Sequence, residues 1–224
     1  MDRMEIKNTK QEMAIEKANT RWNEIHKSYE RKDIVYDDWL EMFQKEIKGC
    51  NTPIIDLGCG SGNDTLYLLE RGKKVISCDY SSNAIENIHK NFPEVERTEC
   101  FDMTKGLPFE DNFTDIIISD LSLHYFTEET TFHILDEIKR VLKPEGIFLF
   151  RVNSVKDVNH GAGEGKEMER HLYETADGRY KRFFDLDDIE HFFGEWKKIF
   201  VQEETMGRYK MEKVLWRCGV QVEK

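Results

Sequence analysis

The chain has 224 residues, which suits one domain with an ordinary core and leaves too little for two independent ones. Hydrophobic residues make up 39% and charged residues 34%, and 33 Lys and Arg against 44 Asp and Glu give a net charge of −11. That balance argues against a nucleic-acid partner, because phosphate backbones are held by clustered cations, and against docking on an anionic membrane surface.

The first fifty residues read as helix. Ile15, Ala18, Trp22, Ile25 and Tyr29 recur at alternating spacings of three and four, on one face. Tyr36, Trp39, Leu40, Phe43 and Ile47 do the same for a second helix, with Gly49 expected as its C-terminal cap. From Thr52 short apolar runs alternate with helical segments. Strands are expected at Pro53–Leu57, Lys74–Cys78, Val95–Cys100, Asp115–Ser119 and Gly146–Val152. Helices are expected at Asp64–Glu70, near Asn83–Asn91, and from a Thr127 cap through Phe132, Leu135, Ile138 and Val141 to a stop at Pro144. Uninterrupted Ile/Val/Leu runs suit parallel strands covered on both faces, so the alternation implies a doubly wound α/β sheet. In the tail, Asp185 can cap a short helix. Trp196–Glu203 and Val214–Val222 then follow as strands with a turn near Met206–Gly207, which makes an antiparallel closing hairpin.

The first strand runs into Asp56-Leu57-Gly58-Cys59-Gly60-Ser61-Gly62-Asn63. Glycines there let the backbone turn sharply and approach a ligand at the strand end where α/β sheets bind. Asn63 stands where a dinucleotide fold carries its third glycine. Asp79 ends the second strand roughly twenty residues beyond Gly58, where a carboxylate can accept both hydroxyls of a ribose.

Asp56–Gly62 resembles the first motif of the class I S-adenosylmethionine-dependent methyltransferases. The similarity continues through Asp79-Tyr80-Ser81, Asp102-Met103, Leu107-Pro108-Phe109, Phe113–Asp120 and Leu123-His124-Tyr125 to Lys143-Pro144-Glu145-Gly146, about residues 50 to 152. It implies a Rossmann-like, seven-stranded, mostly parallel sheet with a C-terminal antiparallel hairpin and N-terminal helices. One methyltransferase domain would span 1–224: a helical cap (1–50), a cofactor-binding core (51–152), an acceptor lid (153–184), and the last helix with the closing hairpin (185–224). The cofactor implied is S-adenosylmethionine. Gly58 and Gly60 would pass beneath its methionine part, with Asp56 in support of its ammonium. Asp79 would hold the ribose with Tyr80 beside the adenine, Asp102 the adenine amino group with Met103 flanking the ring. Asp120 and Leu121 would line the floor by the sulfonium.

The acceptor is approached by elimination. The place after the fourth strand reads Ser119-Asp120-Leu121-Ser122, not the Asn/Asp-Pro-Pro-aromatic tetrad of nucleobase amino methyltransferases. The Pro-Cys pair of cytosine-ring methylation is missing, and so is an identifiable carboxylate cluster for a metal. A small-molecule acceptor with its N, O or S atom methylated is therefore expected, with neither nucleic acid nor membrane as partner, in a monomer or homodimer. The alternative is a non-catalytic S-adenosylmethionine-binding regulatory or partner subunit. Gly161, Gly163 and Gly165 give the 153–184 segment room to move, and its Asp-Gly-Arg-Tyr and Arg-Phe-Phe stretch resembles tellurite-resistance and thiopurine methyltransferases. His124, just past Asp120 and titrating near neutrality, is the candidate general base. Trp22, Tyr29, Arg151, Asn153, His160, Tyr173 and Arg182 are candidate acceptor contacts. Cys50, Cys59, Cys78, Cys100 and Cys218 include no CxxC pair, no apolar run approaches the ~20 residues of a membrane span, and the start lacks a signal-peptide core. A reduced, cytoplasmic protein without a metal is expected.

Overall fold

The computed structural model describes residues 3–27 and 34–224, with side chains from residue 9 onward. Tyr29 lies outside the described residues. A seven-stranded sheet forms the centre, built from β1 (Ile54–Leu57), β2 (Val75–Asp79), β3 (Arg97–Cys100), β4 (Thr114–Asp120), β5 (Leu142–Asn153), β9 (Lys197–Met206) and β10 (Lys213–Gln221). Its order is β3-β2-β1-β4-β5-β10-β9. The first five strands pair in parallel, and β10 runs antiparallel to both β5 and β9. β1 and β4 are neighbours at the sheet's centre, where the strand order reverses. In this architecture the crevice outside the carboxyl ends of those two strands is the place for a ligand.

Side-chain alternation along the strands loads both faces. Ile117, Phe148 and Phe150 pack in one buried layer with α5 (Glu128–Val141) and α6 (Leu186–Phe193), through Ile134, Leu135, Ile138, Ile189 and Phe193. Ile116, Ile118 and Leu149, one residue out of phase, pack in the other. Trp39, Leu40, Phe43 and Ile47 join that second layer with Tyr67 and Leu68 of α3 (Asn63–Glu70). α4 (Ser82–Asn91) begins at a Ser81 cap, whose hydroxyl accepts from the Ala84 amide.

Several local expectations change. The second N-terminal helix is a 3-10 turn, Asp38–Phe43, followed by the short α2 (Gln44–Gly49). Gly49 is its last helical residue, and the extended Cys50 ends it, so no left-handed glycine cap is used. α5 stops at Val141, three residues ahead of Pro144, and its C-terminal neighbour Leu142 is already extended. β5 begins at once, at Leu142. Residues 153–184 contain a small antiparallel sheet, β6 (Lys166–Glu169), β7 (Leu172–Glu174) and β8 (Tyr180–Arg182). It packs Leu172 and Tyr180 on Ala14 of α1 (Arg3–Ile25), which lies across the carboxyl end of the large sheet.

Candidate active site

A cavity of about 720 Å³ opens at the carboxyl ends of β1, β2 and β4. Its floor begins where β1 turns into the glycine loop. Gly58, Gly60 and Gly62 all have positive φ. A Cβ on Gly58 would fall 2.3 Å from the Ser122 Cβ, so only glycine lets the loop lie against the β4 exit. The Gly58 and Cys59 amides both donate to the Cys78 carbonyl at 2.8 Å, which ties the loop to the end of β2.

Asp79 at that end takes the Gly60 amide on one oxygen (2.9 Å) and the Ser81 amide on the other (2.8 Å). Both oxygens are thereby fixed in direction while the residue still lines the cavity. Asp102 accepts both the Thr104 amide and hydroxyl on Oδ1, so its Oδ2 is clear of those bonds. Asp56 is 1% exposed and accepts from the Thr65 hydroxyl at 2.6 Å. Burial, aided by the neighbouring Asp120 and Asp79 charges and opposed by Thr65, pushes its carboxyl up to about 7. Burial also raises Asp64, which accepts from the Trp39 indole at 2.8 Å.

Asp120 differs. Burial pushes it upward, but two guanidiniums outweigh that and hold it below the ordinary carboxylate range. Arg151 binds it in bidentate fashion at 2.7 Å on each oxygen, and Arg208 reaches it at 3.0 Å from the β9–β10 turn. Arg151 also pairs with Asp37 at 2.8 Å.

The roof is α1. Ile15, Ala18, Asn19, Trp22, Ile25 and His26 look into the cavity. Trp22 stacks on His26 and meets the edge of Tyr125, with centroids 5.7 and 6.2 Å apart. Arg208 and Tyr209 close one side.

Asp56, Gly58, Gly60, Asp79, Tyr80, Asp102, Met103, Asp120, Leu121 and Trp22 thus meet around one space. The other expected residues stand away from it. His124 is 2% exposed and does not line the cavity. Burial, with Lys213, Lys181 and Arg179 nearby, holds its imidazole well below the usual range, so it is neutral and sits behind Tyr125 (ring centroids 4.2 Å apart). This placement corrects the general-base expectation. Arg182 is buried against Glu169 and the Phe126 and Arg170 carbonyls. His160 bonds Asp157 at 2.8 Å, Asn153 reaches the Arg182 carbonyl, and Tyr173 packs edge-on to Phe183. Arg151 serves Asp120 and Asp37 from beneath the floor.

Sequence reasoning passed over Tyr125, Arg208, Tyr209, His26 and Asp64. The Arg208-Tyr209 pair at a hairpin tip was the available signal, a cation and an aromatic side by side in a turn. His26 and Asp64 are brought in only by tertiary packing.

A family model described as "Methyltransferase domain" matches residues 55–150. Residues 55–150 are a class I S-adenosylmethionine-dependent methyltransferase domain. S-adenosylmethionine is the cofactor of such domains. The carboxylate-lined cavity suits its cationic methionine part, since Asp56, Asp79 and Asp120 all face the space.

Among curated proteins the chain is similar to the Drosophila melanogaster protein named tRNA N(3)-methylcytidine methyltransferase Mettl2, 34% identical over 165 residues, covering 68% of this chain and 50% of that one. The Danio rerio tRNA N(3)-cytidine methyltransferase METTL2 is 26% identical over 196 residues, covering 81% and 55%. The chain spans about half the length of these relatives. In fold it is similar to the Burkholderia thailandensis 1,6-didemethyltoxoflavin-N1-methyltransferase, with a TM-score of 0.63, 19% identity and 83% and 77% of the two chains covered. TehB from Haemophilus influenzae gives 0.62 at 17% identity, covering 84% and 62%.

The METTL2 relatives overturn the expected partners, a small-molecule acceptor and no nucleic acid. Their names are those of enzymes acting on tRNA. The inference failed because a net charge of −11 averages over the whole surface, whereas binding depends on the few cations near the site. No helix among the described residues is long and apolar enough to cross a membrane.

Proposed function

We propose that the chain transfers the methyl group of S-adenosylmethionine to a ring nitrogen of a base in RNA. The observation that carries this reading is the 34% identity to a tRNA N(3)-methylcytidine methyltransferase over 165 residues, a length beyond the 55–150 core. The aromatic surroundings of the cavity support it, since Trp22, Tyr125 and Tyr209 offer flat faces to a base.

On this reading Asp79 accepts from the ribose hydroxyls and Tyr80 lies beside the adenine. Asp102, flanked by Met103, takes the adenine amino group. Asp56 faces the ammonium, and Gly58 and Gly60 give the methionine part its close approach. Asp120 and Leu121 form the floor at the reacting end. The bound cofactor supplies a methyl carbon on a positively charged sulfur. The chain's task is to align an acceptor nitrogen behind that carbon and exclude water. The nitrogen lone pair forms the new C–N bond while the C–S pair returns to sulfur, so the positive charge passes to the base. A pyridine-type ring nitrogen such as N3 of cytosine carries its lone pair unprotonated at neutral pH, so attack needs no base, consistent with His124 lying behind the cavity wall. Residues 1–50 act as a cap through α1, and the 153–184 segment supports α1 through Leu172 and Tyr180.

The test is transfer of labelled methyl to total tRNA, followed by digestion to nucleosides and mass spectrometry. Label in methylated cytidine is the expected result. Label that never enters RNA, from protein shown by calorimetry to bind S-adenosylhomocysteine, overturns the reading.

A further inference from the structure

Tyr209 stands at the mouth of the cavity: it lines the space and is still 44% exposed. Cations gather round its ring. The Arg208 guanidinium lies 5.5 Å from the ring centre, the Lys213 ammonium 6.0 Å, and the centre of the His160 ring 5.7 Å. The His160 carbonyl accepts from the Lys181 ammonium at 2.6 Å, which joins the hairpin tip to β8. Arg179 stands two residues before Lys181, and alternate residues of an extended chain share a side. The Tyr125 phenol, in the cavity wall, feels both Arg179, which favours its ionised form, and Tyr209, which opposes it.

Part of this charge is unmatched. Arg208 is held by Asp120 at 3.0 Å and Lys213 by Asp157 at 2.7 Å. Lys181 rests on a carbonyl, and burial, with Lys213 and Arg179 nearby, lowers its ammonium to about 8 in spite of Asp157 and Glu164. Arg179 gives its Nε to Asp177 at 2.9 Å, while its two Nη atoms meet no acceptor among the described residues and its side chain is a quarter exposed. Neither Nη is among the buried atoms left without a partner, so both are open to solvent. Lys210, the residue after Tyr209, is exposed and makes no ion pair among the described residues.

An exposed ring bordered by open cations is a platform for a base and its phosphates. The cavity makes the same demand from inside. A base seated beneath α1 has been turned out of any stack, so its phosphates and the next nucleotides are left at the mouth. The open donors of Arg179 and Lys210 come from different elements, which suits successive phosphates of a strand better than a single anion.

We propose that an RNA strand crosses the mouth on this rim: Tyr209 stacks on the base next to the one in the cavity, and Arg179 and Lys210 hold the phosphates beside it. This rests on the reading of an RNA base as acceptor and goes further by naming the surface that holds the strand.

The probe is a fluorescein-labelled RNA hairpin with a single cytidine in a uridine loop, together with two copies in which the nucleotide on one side or the other of that cytidine is abasic. Binding is read by fluorescence anisotropy with S-adenosylhomocysteine present, over a series of salt concentrations. The unaltered chain is expected to bind one of the abasic copies about tenfold more weakly than the intact loop, the scale of one base–aromatic stack. Tyr209→Leu should bind the intact loop as weakly and no longer distinguish it from that copy, and Tyr209→Phe should restore the difference. Arg179→Gln and Lys210→Gln should each lower the slope of log affinity against log salt by about 0.7, the share of one phosphate contact on a single strand, and leave the abasic discrimination standing. An unchanged melting temperature is the check on folding, and the abasic comparison on the unaltered chain stands whether or not Tyr209→Leu folds. No abasic discrimination by the unaltered chain, discrimination that survives Tyr209→Leu, or an unchanged salt slope in either cation variant overturns the inference. Methyl transfer into total tRNA alongside any of those results leaves the base-nitrogen reading intact. Rim-dependent binding without transfer into total tRNA supports the inference and overturns that reading.

Discussion

Asp56 and Asp120 are both buried in the same cavity wall, yet their carboxyls are displaced in opposite directions. Asp120 has two guanidiniums in contact and stays ionised. Asp56 has a hydroxyl for company and is pushed up to about 7. A cationic amine placed beside Asp56 stabilises its carboxylate, so binding must expel the proton that Asp56 holds at lower pH. S-adenosylmethionine affinity should therefore tighten roughly tenfold between pH 5.5 and 7, below the range in which its own amine titrates. In Asp56→Asn the same pH range should leave a weaker affinity nearly unchanged. Calorimetry across those pH values is the check, and parallel curves for the two proteins would show that Asp56 does not face the ammonium.

At the level of elements, the parallel core was legible because each strand is a short apolar run with loop chemistry at its end. Ile116-Ile117-Ile118 reads as a strand in any context that covers both its faces. The α6 start was legible too. Asp185 accepts from the Asp188 amide and the Asp188 carboxylate accepts from the Asp185 amide, a reciprocal cap where the sequence offers Asp185 as the cap. Asp185→Ala should cost about 1 kcal/mol, the usual worth of an N-cap, read as a lower urea midpoint at unchanged slope. An unchanged midpoint would show that the Arg170 and His171 contacts hold this helix start without the cap. The small β6-β7-β8 sheet was not legible. Lys166–Glu169 is a charged, half-exposed run whose strand character comes from pairing with Leu172–Glu174 and from α1 beneath it. The 3-10 turn at Asp38–Phe43 was hidden for a related reason. Its aromatics fit helical spacing, and only their packing against Tyr67 and Leu149 selects the tighter winding.

Over the whole molecule, the sequence located one end of the cavity better than the other. Cofactor-side residues lie in one contiguous motif and at strand ends, where position along the chain fixes position in space. Acceptor-side residues come from α1, the β4 exit and the hairpin tip, and no local spacing relates Trp22 to Tyr125 to Arg208. The same gathering of buried charge around one cavity sets the molecule's stability against pH. Asp56, Asp64 and Asp79 have folded-state pKa values above that of an unfolded aspartate, 3.8. Such groups stabilise the fold at low pH and withdraw that stability as pH rises through their folded values, about 7 for Asp56. His124 and His26 work in the opposite sense, because both are lowered by burial and favour the fold as pH rises through 6.5, where the unfolded imidazole is half titrated. Above pH 6.5 only the tail of the histidine gain remains, about 0.4 kcal/mol for each half-titrated imidazole, and the carboxyl loss outweighs it until Lys181, lowered to about 8, begins to titrate. The ligand-free chain should therefore melt on the order of 3 °C lower at pH 7.5 than at pH 6.5. Asp56→Asn should reduce that drop and leave the share carried by Asp64 and Asp79, and saturating S-adenosylmethionine should reduce it as well, since the bound cation makes ionised carboxyls welcome. Differential scanning calorimetry at the two pH values gives the answer. A melting temperature that rises over this interval in the ligand-free chain would mean that the buried carboxyls are already ionised, and that the cavity is held ready for a cation before one arrives.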